Sequence, residues 1–316
     1  MTVAELKRTN TSAVFKNILV ATDFSEASRR ALRDALVLAA EGDARISVVH
    51  ALGRVPQQYS TPESSPELDL ERIEAEKQMR KFVEGLEPER KVEVLVRQGK
   101  VGDVVAGLIE EEKIDLLVIG TRGRGGISKL ALGSVAEELL RVAPCPVLTI
   151  GPVAEVASAA QPMEFRTILF ATDFGRASAK ALPLALAVAR ANQAKLILLH
   201  MTAPMPVVSA SLSAYAPATM AAEDVAEWQI MTHKRSLERM KEDLPQETGL
   251  EQEPEFVVGT EFLPEGILTA AAERKVDLIV MGANRSASPR AAAHIPWSVV
   301  HEVVRGAACP VLTVAG

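Results

Sequence analysis

Short apolar runs alternate along the chain with longer amphipathic segments. In the first half the runs predict strands at Asn17–Thr22, Ile46–Ala51, Val92–Val96, Leu116–Ile119 and Pro146–Ile150. The segments between them predict helices, with Ser25 as the N-cap of one that ends near Ala40, followed by Glu67–Leu86, Val101–Glu112 and Leu132–Val142. Strands that are almost entirely apolar are typical of parallel sheets buried on both faces. The alternation with helices therefore predicts a doubly wound α/β fold.

The second half of the chain repeats this pattern. FKNILVATDFSEAS, at Phe15–Ser28, matches FRTILFATDFGRAS at Phe165–Ser178. Two further blocks match later in each half. The first is IDLLVIG from Ile114 with VDLIVMG from Val276, and the second is SVAEELLRVAPCPVLTI from Ser134 with SVVHEVVRGAACPVLTV from Ser298. Matching blocks in one order indicate a duplicated domain. We therefore expect domains at residues 1–151 and 165–316, joined by an Ala/Pro/Ser-rich linker at residues 152–164.

Composition narrows the function classes. The chain is 48% hydrophobic and 24% charged, with a formal net charge of −6, which is unlike the basic surplus of a nucleic-acid-binding protein. The N-terminal segment lacks the apolar core of a signal peptide, and no apolar run reaches the length of a membrane span. We expect a cytoplasmic protein with neither a nucleic-acid nor a membrane partner. The two cysteines, Cys145 and Cys309, are too few for a disulfide framework.

A glycine-rich loop follows the fourth predicted strand. It reads GTRGRGGISKLALGSV, from Gly120 to Val135, and leads into a helix. Glycines let the backbone approach an anion closely, and the N–H groups at a helix N-terminus favour phosphate. Arg122 and Arg124 can add charge-assisted hydrogen bonds. The loop fits neither the P-loop nor the dinucleotide fingerprint, so a glycine loop without a ligand remains the alternative.

The spacing Gly120-x2-Gly123-x9-Gly133-Ser134 resembles the ATP-binding signature of the universal stress protein family. The opening ILVATDFSEAS and the closing APCPVLTI resemble that family too, and the resemblance covers nearly the whole chain. It implies two tandem domains, each with a five-stranded parallel sheet flanked by helices, as in the adenine nucleotide alpha hydrolase-like fold. Some family members bind ATP, and others lack the loop and do not.

The resemblance also implies binding residues in the first domain. The positions matching the family's contacts to adenosine and phosphate are Ala21, Asp23, Ala51, Ile119, Gly120, Gly123, Gly133, Ser134 and Val135. Thr22, next to Asp23, and Arg122, in the glycine-rich loop, complete the set of candidate binding residues. The expected ligand is ATP or another adenine nucleotide, with or without Mg²⁺. Asp23 has an alternative role as a helix-capping carboxylate, because Asp173 repeats it in the second copy.

The corresponding loop of the second domain differs. Arg285 stands at the position of Gly123, Trp297 stands at that of Gly133, and Pro296 lacks an N–H donor. This predicts a degenerate nucleotide site, although a different ligand and a lid from the Met-, Ala- and Pro-rich segment 201–220 remain open. A zinc site at His294, His301 and Cys309 is a further alternative, without a recognised ligand spacing.

The function expected from these residues is nucleotide-dependent sensing or regulation in a stress response. No nucleophile–base set or metal cluster is visible in the sequence, so no catalytic residue is assigned. A slow ATPase and an interaction scaffold without nucleotide are the alternatives. The resemblance also implies that the last strand of each copy lies at a sheet edge. We expect these two strands to pair antiparallel within the chain, since exposed apolar edges invite pairing. A homodimer through other surfaces is also expected.

Overall fold

The structure is a computed structural model, and it describes residues 14–39, 43–53, 66–86, 88, 90–121, 132–157, 164–202, 222–283 and 296–316. In the first half the strands and helices are β1 (Asn17–Ala21), α1 (Glu26–Ala39), β2 (Arg45–Leu52), α2 (Pro66–Glu84), β3 (Val92–Gln98), α3 (Val101–Glu111), β4 (Leu116–Gly120), α4 (Ser134–Val142) and β5 (Val147–Ile150). The predicted strands and helices of this half are confirmed, with ends that differ by a few residues.

The second half repeats the succession after one additional helix, α5 (Pro152–Ala157). Its elements are β6 (Thr167–Thr172), α6 (Arg176–Ala191), β7 (Lys195–Met201), α7 (Ala222–Glu242), β8 (Glu255–Gly259), α8 (Glu265–Glu273), β9 (Leu278–Ala283), α9 (Pro296–Gly306) and β10 (Val311–Ala315). The short helix α5 lies where only a linker was expected. Ala154 in α5 is fully buried, so the start of the linker segment belongs to the packed structure.

The described strands form one sheet in the order β3-β2-β1-β4-β5-β10-β9-β6-β7-β8. Every pair is parallel except β5 with β10, which is antiparallel and joins the two halves. Each half is therefore a five-stranded parallel sheet, as expected, and the predicted pairing of the last strands is confirmed. Leu148 faces Leu312 at the centre of this pairing.

The two faces of the sheet have different cores. On one face a single hydrophobic cluster runs through both halves and includes Ile18, Leu148, Leu312 and Ile168. On the other face each half has a cluster of its own, formed around α3 and α4 in the first half and around α8 and α9 in the second. Strand residues alternate between the faces, so each strand contributes to both. The two domains therefore share a continuous core on one side only.

Within the described part of the chain, no helix is both long enough and apolar enough to cross a membrane.

Candidate functional site

The predicted site residues of the first domain lie on neighbouring strands. β1 stands between β2 and β4, so the strand order reverses at β1 and β4. In open α/β sheets, ligands bind at this switch point, beyond the carboxyl ends of the strands. Ala21 ends β1, Ala51 lies near the end of β2, and Ile119 and Gly120 end β4. The structure thus brings these four residues to one edge of the sheet.

The turn after β1 places Thr22 and Asp23 beside the start of α1. The Asp23 carboxylate accepts a hydrogen bond from the Ser25 N–H (3.0 Å), and Phe24 between them has a positive φ of 66°. Thr22 Oγ1 accepts from the Phe24 N–H at 3.0 Å. Ser25 caps the helix as predicted, because its hydroxyl oxygen accepts from the Ser28 N–H at 3.2 Å.

The second domain repeats the turn. Asp173 accepts from the Gly175 N–H at 2.8 Å, and Phe174 again has a positive φ, of 59°. Because the turn is present in both domains, its hydrogen bonds favour a structural role for the aspartates. A nucleotide contact of Asp23 remains a prediction.

A histidine supports each of these turns. His50 Nδ1 lies 2.8 Å from the Thr22 carbonyl oxygen, and His200 Nδ1 lies 2.8 Å from that of Thr172. A carbonyl can only accept, so Nδ1 is the donor in both rings. The rings also pack against Phe24 and Phe174, with centroids 4.5 and 4.3 Å apart. His50 and His200 stand at matching positions of the two repeats, and each supports the backbone of the turn after the first strand of its domain.

His200 gives a prediction on pH. Desolvation by burial lowers the pKa of the His200 ring below its ordinary value of 6.5, although the hydrogen bond to Thr172 opposes the shift. As the pH falls below 6.5 the unfolded chain takes up the proton first, so the free energy of unfolding falls with it. In urea denaturation, we expect wild type to lose more stability between pH 7.5 and 5.0 than His200→Gln. An equal loss in both proteins would contradict this assignment.

The glycine loop itself, with Arg122 and Gly123, lies outside the described residues. Its two ends meet at the tip of β4, where the Gly133 N–H donates to the Thr121 carbonyl at 2.8 Å. Gly133 is the N-cap of α4, with φ −68° and ψ 146°, and no side chain in the described part of the chain caps the helix. The first N–H groups of a helix have no intrahelical partner. The N–H groups of Ser134 and Val135, at the start of α4, are of this kind. Their contact with a phosphate remains a prediction.

Leu132 fixes the position of this helix start. Its partly buried side chain packs against the clusters around α3 and α4 and around α8 and α9. The residue next to Gly133 is thus in contact with the cores of both domains.

Gly120 has a packing role that the sequence did not reveal. A Cβ at this position would lie 2.5 Å from the Ala27 carbonyl carbon, because the end of β4 touches the start of α1. Gly282 is placed in the same way, since a Cβ added there would lie 2.3 Å from the Ala177 carbonyl carbon. The glycine is explained by the close approach of strand and helix, whether or not a ribose also lies against it.

Two other sequence hypotheses concern the second domain. Arg285 and His294 lie outside the described residues, and of the loop positions only Pro296 and Trp297 are placed, at the start of α9. Cys309 is buried, and desolvation raises the pKa of its thiol to about 12, which favours a protonated, structural cysteine. The His301 Nδ1 atom lies 3.4 Å from the Glu302 Oε1 atom. The part of the chain that is described holds no group of three side chains suited to a metal ion.

Comparison with known proteins agrees with the duplication. The model of the universal stress protein family matches residues 15–151 and again residues 164–315. A universal stress protein of Thermus aquaticus is 36% identical over 139 residues, which are 43% of this chain and 99% of that protein. One of Methanocaldococcus jannaschii is 32% identical over 146 residues, 45% of this chain and 85% of that protein. Each relative thus has about the length of one repeat.

A solved structure shares the whole architecture. The universal stress protein of Archaeoglobus fulgidus aligns with a TM-score of 0.61 and 20% identity, over 98% of this chain and 99% of that one. At this identity the likeness concerns the fold. The family assignment rests on the two matched segments, which together make up most of the chain. The chain belongs to the universal stress protein family, as a member with two tandem domains.

Proposed function

We propose that the first domain binds ATP or a related adenine nucleotide and that the protein acts as a nucleotide-dependent regulator in the stress response. One observation carries the proposal: α4 begins, with glycine as its N-cap, at the switch point between β1 and β4. A helix start with free N–H groups favours phosphate, and the switch point is where such folds bind ligands. The glycine spacing of the sequence supports the same site.

The surroundings of this site suit a polyanion. Arg97 is exposed on β3, beside Ala51 of the neighbouring strand. Ala51 is small and leaves room for a base above the end of β2. We propose that Arg122 and Gly123, together with the described residues, complete the contacts to the nucleotide.

Calorimetry of the full chain with ATP tests the proposal. We expect a stoichiometry near one, because the second domain has Arg285 and Trp297 at the positions of Gly123 and Gly133. Mass spectrometry of freshly purified, denatured protein should also release ATP or ADP. A stoichiometry near two would contradict the asymmetry of the domains, and no binding of any adenine nucleotide would contradict the proposal itself.

A further inference from the structure

The switch point of the second domain holds a cavity of about 300 Å³, beyond the ends of β6, β7 and β9. Its wall is mostly apolar, with Met201, Leu263, Met281 and Val300 among the side chains that line it. Ligand pockets in proteins begin at about this size. A water molecule occupies about 30 Å³ in the liquid, so the cavity has room for a ligand of roughly ten water-sized groups.

The repeat shows how this pocket departs from the first site. Met201 stands at the position of Ala51, and Val300 stands at that of Ala136. On the neighbouring strand, Gly259 faces Met201 where Arg97 faces Ala51. Each exchange adds apolar surface or removes a positive charge. The second pocket therefore favours an apolar ligand over a phosphate.

One side of the pocket presents hydrogen-bond acceptors. Asp173 lies at the exposed mouth, and its Oδ1 accepts from Gly175 and from the Ser178 hydroxyl, at 2.8 and 2.6 Å. Among the described residues, no lysine or arginine forms an ion pair with this carboxylate. His200, whose Nδ1 donates to Thr172, keeps Nε2 as an acceptor when the ring is neutral. Both groups accept hydrogen bonds, so a ligand that binds beside them should carry a hydrogen-bond donor.

We propose that this cavity binds a small apolar primary amine, with its hydrocarbon part among the methionines and its ammonium group at Asp173. The hydrocarbon supplies affinity, because each buried methylene strengthens binding roughly fourfold. The Asp173 carboxylate favours a positively charged head group over a neutral or a negative one. No described cation lines the cavity to hold an anionic head group in place of the amine.

Three probes of equal length test the selectivity: octylamine, octanol and octanoate. In calorimetry with the full chain at pH 7, we expect one octylamine per chain, weaker binding of octanol, and octanoate at least about tenfold weaker than octylamine. Added salt should weaken the binding of octylamine, because its attraction to Asp173 is ionic, and should leave the binding of uncharged octanol unchanged. Equal affinities for amine and acid, or no binding of octylamine at millimolar concentration, would overturn the proposal.

Asp173→Asn locates the site. Asparagine keeps an oxygen to accept from Gly175, so the turn is retained while the charge is lost. We expect octylamine affinity to fall at least about threefold and octanol affinity to stay unchanged. The matched control is Asp23→Asn in the first domain, which should leave both affinities at the wild-type value. If the control lowers amine binding as much as Asp173→Asn does, the pocket of the second domain is not the site.

Val299→Trp provides a second variant, since Val299 lines the cavity and is partly exposed on α9. The larger side chain should weaken octylamine and octanol alike, while ATP binding to the first domain is unchanged. Undiminished octylamine binding to this variant would contradict the proposal, independently of the result for Asp173→Asn.

Discussion

Replacing Gly133 with tryptophan is expected to abolish nucleotide binding, with a loss in affinity of about 100-fold or more. Gly133 is the N-cap of α4. If the nucleotide binds as proposed, a phosphate comes within hydrogen-bond distance of the N–H groups that follow it. An indole at this position fills that space, and charge-assisted hydrogen bonds lost there cost about 1.5–3 kcal/mol each. The substitution copies the residue that the second domain has at its own helix start, Trp297.

Calorimetry with ATP measures the effect, and thermal unfolding shows whether the fold is retained. We expect little change in stability, since the φ of −68° at Gly133 suits any residue. Trp297→Gly is the matched control and should leave ATP affinity in the first domain unchanged. Wild-type affinity in Gly133→Trp would show that the start of α4 does not hold the phosphates.

The second large effect concerns the contact between the domains. We expect the double variant Leu148→Lys, Leu312→Lys to separate them and to lower the free energy of unfolding by about 4 kcal/mol or more. The two leucines face each other across β5 and β10 and are 2% and 1% exposed. Two ammonium groups there would be buried, alike in charge, and without a partner. Small-angle scattering should report a larger radius of gyration.

A control with the same chemistry uses exposed positions, one in each domain. Leu70 and Ile230 are 66% and 69% exposed, so their replacement by lysine should change neither compactness nor stability. If the variant with lysines at 148 and 312 remains as compact as wild type, the pairing of β5 with β10 does not hold the domains together.

The sequence predicted the strands well because a parallel strand buried on both faces is almost purely apolar, as Ile18, Leu19 and Val20 illustrate. The pairing of β5 with β10 was predicted from the family resemblance, which implies that both strands lie at sheet edges. The sequence did not predict α5, since an Ala- and Pro-rich segment is typical of linkers. Only tertiary packing, which buries Ala154, makes that segment a helix.

The parts of the candidate site that depend on sequence motifs could be predicted. The contacts that depend on how neighbouring strands and helices pack could not. Glycine spacing identified Gly133 and the start of α4. The contact of His50 with Thr22 joins residues 28 positions apart, and it exists only because β1 and β2 pair in a particular register. Likewise, Gly120 was assigned to a ligand, while its contact with Ala27 follows from how closely α1 crosses β4.

The antiparallel pairing of β5 with β10 also bears on how the two domains could diverge. When two identical chains pair through the same strand, the interface is symmetric, and every mutation in the gene appears in both subunits. In this chain the equivalent strands belong to one gene product, so a substitution appears in one copy only. Selection can therefore retain Gly133 in one domain while Trp297 becomes fixed in the other. The duplication leaves the paired architecture intact and lets a mutation change one site without changing the other.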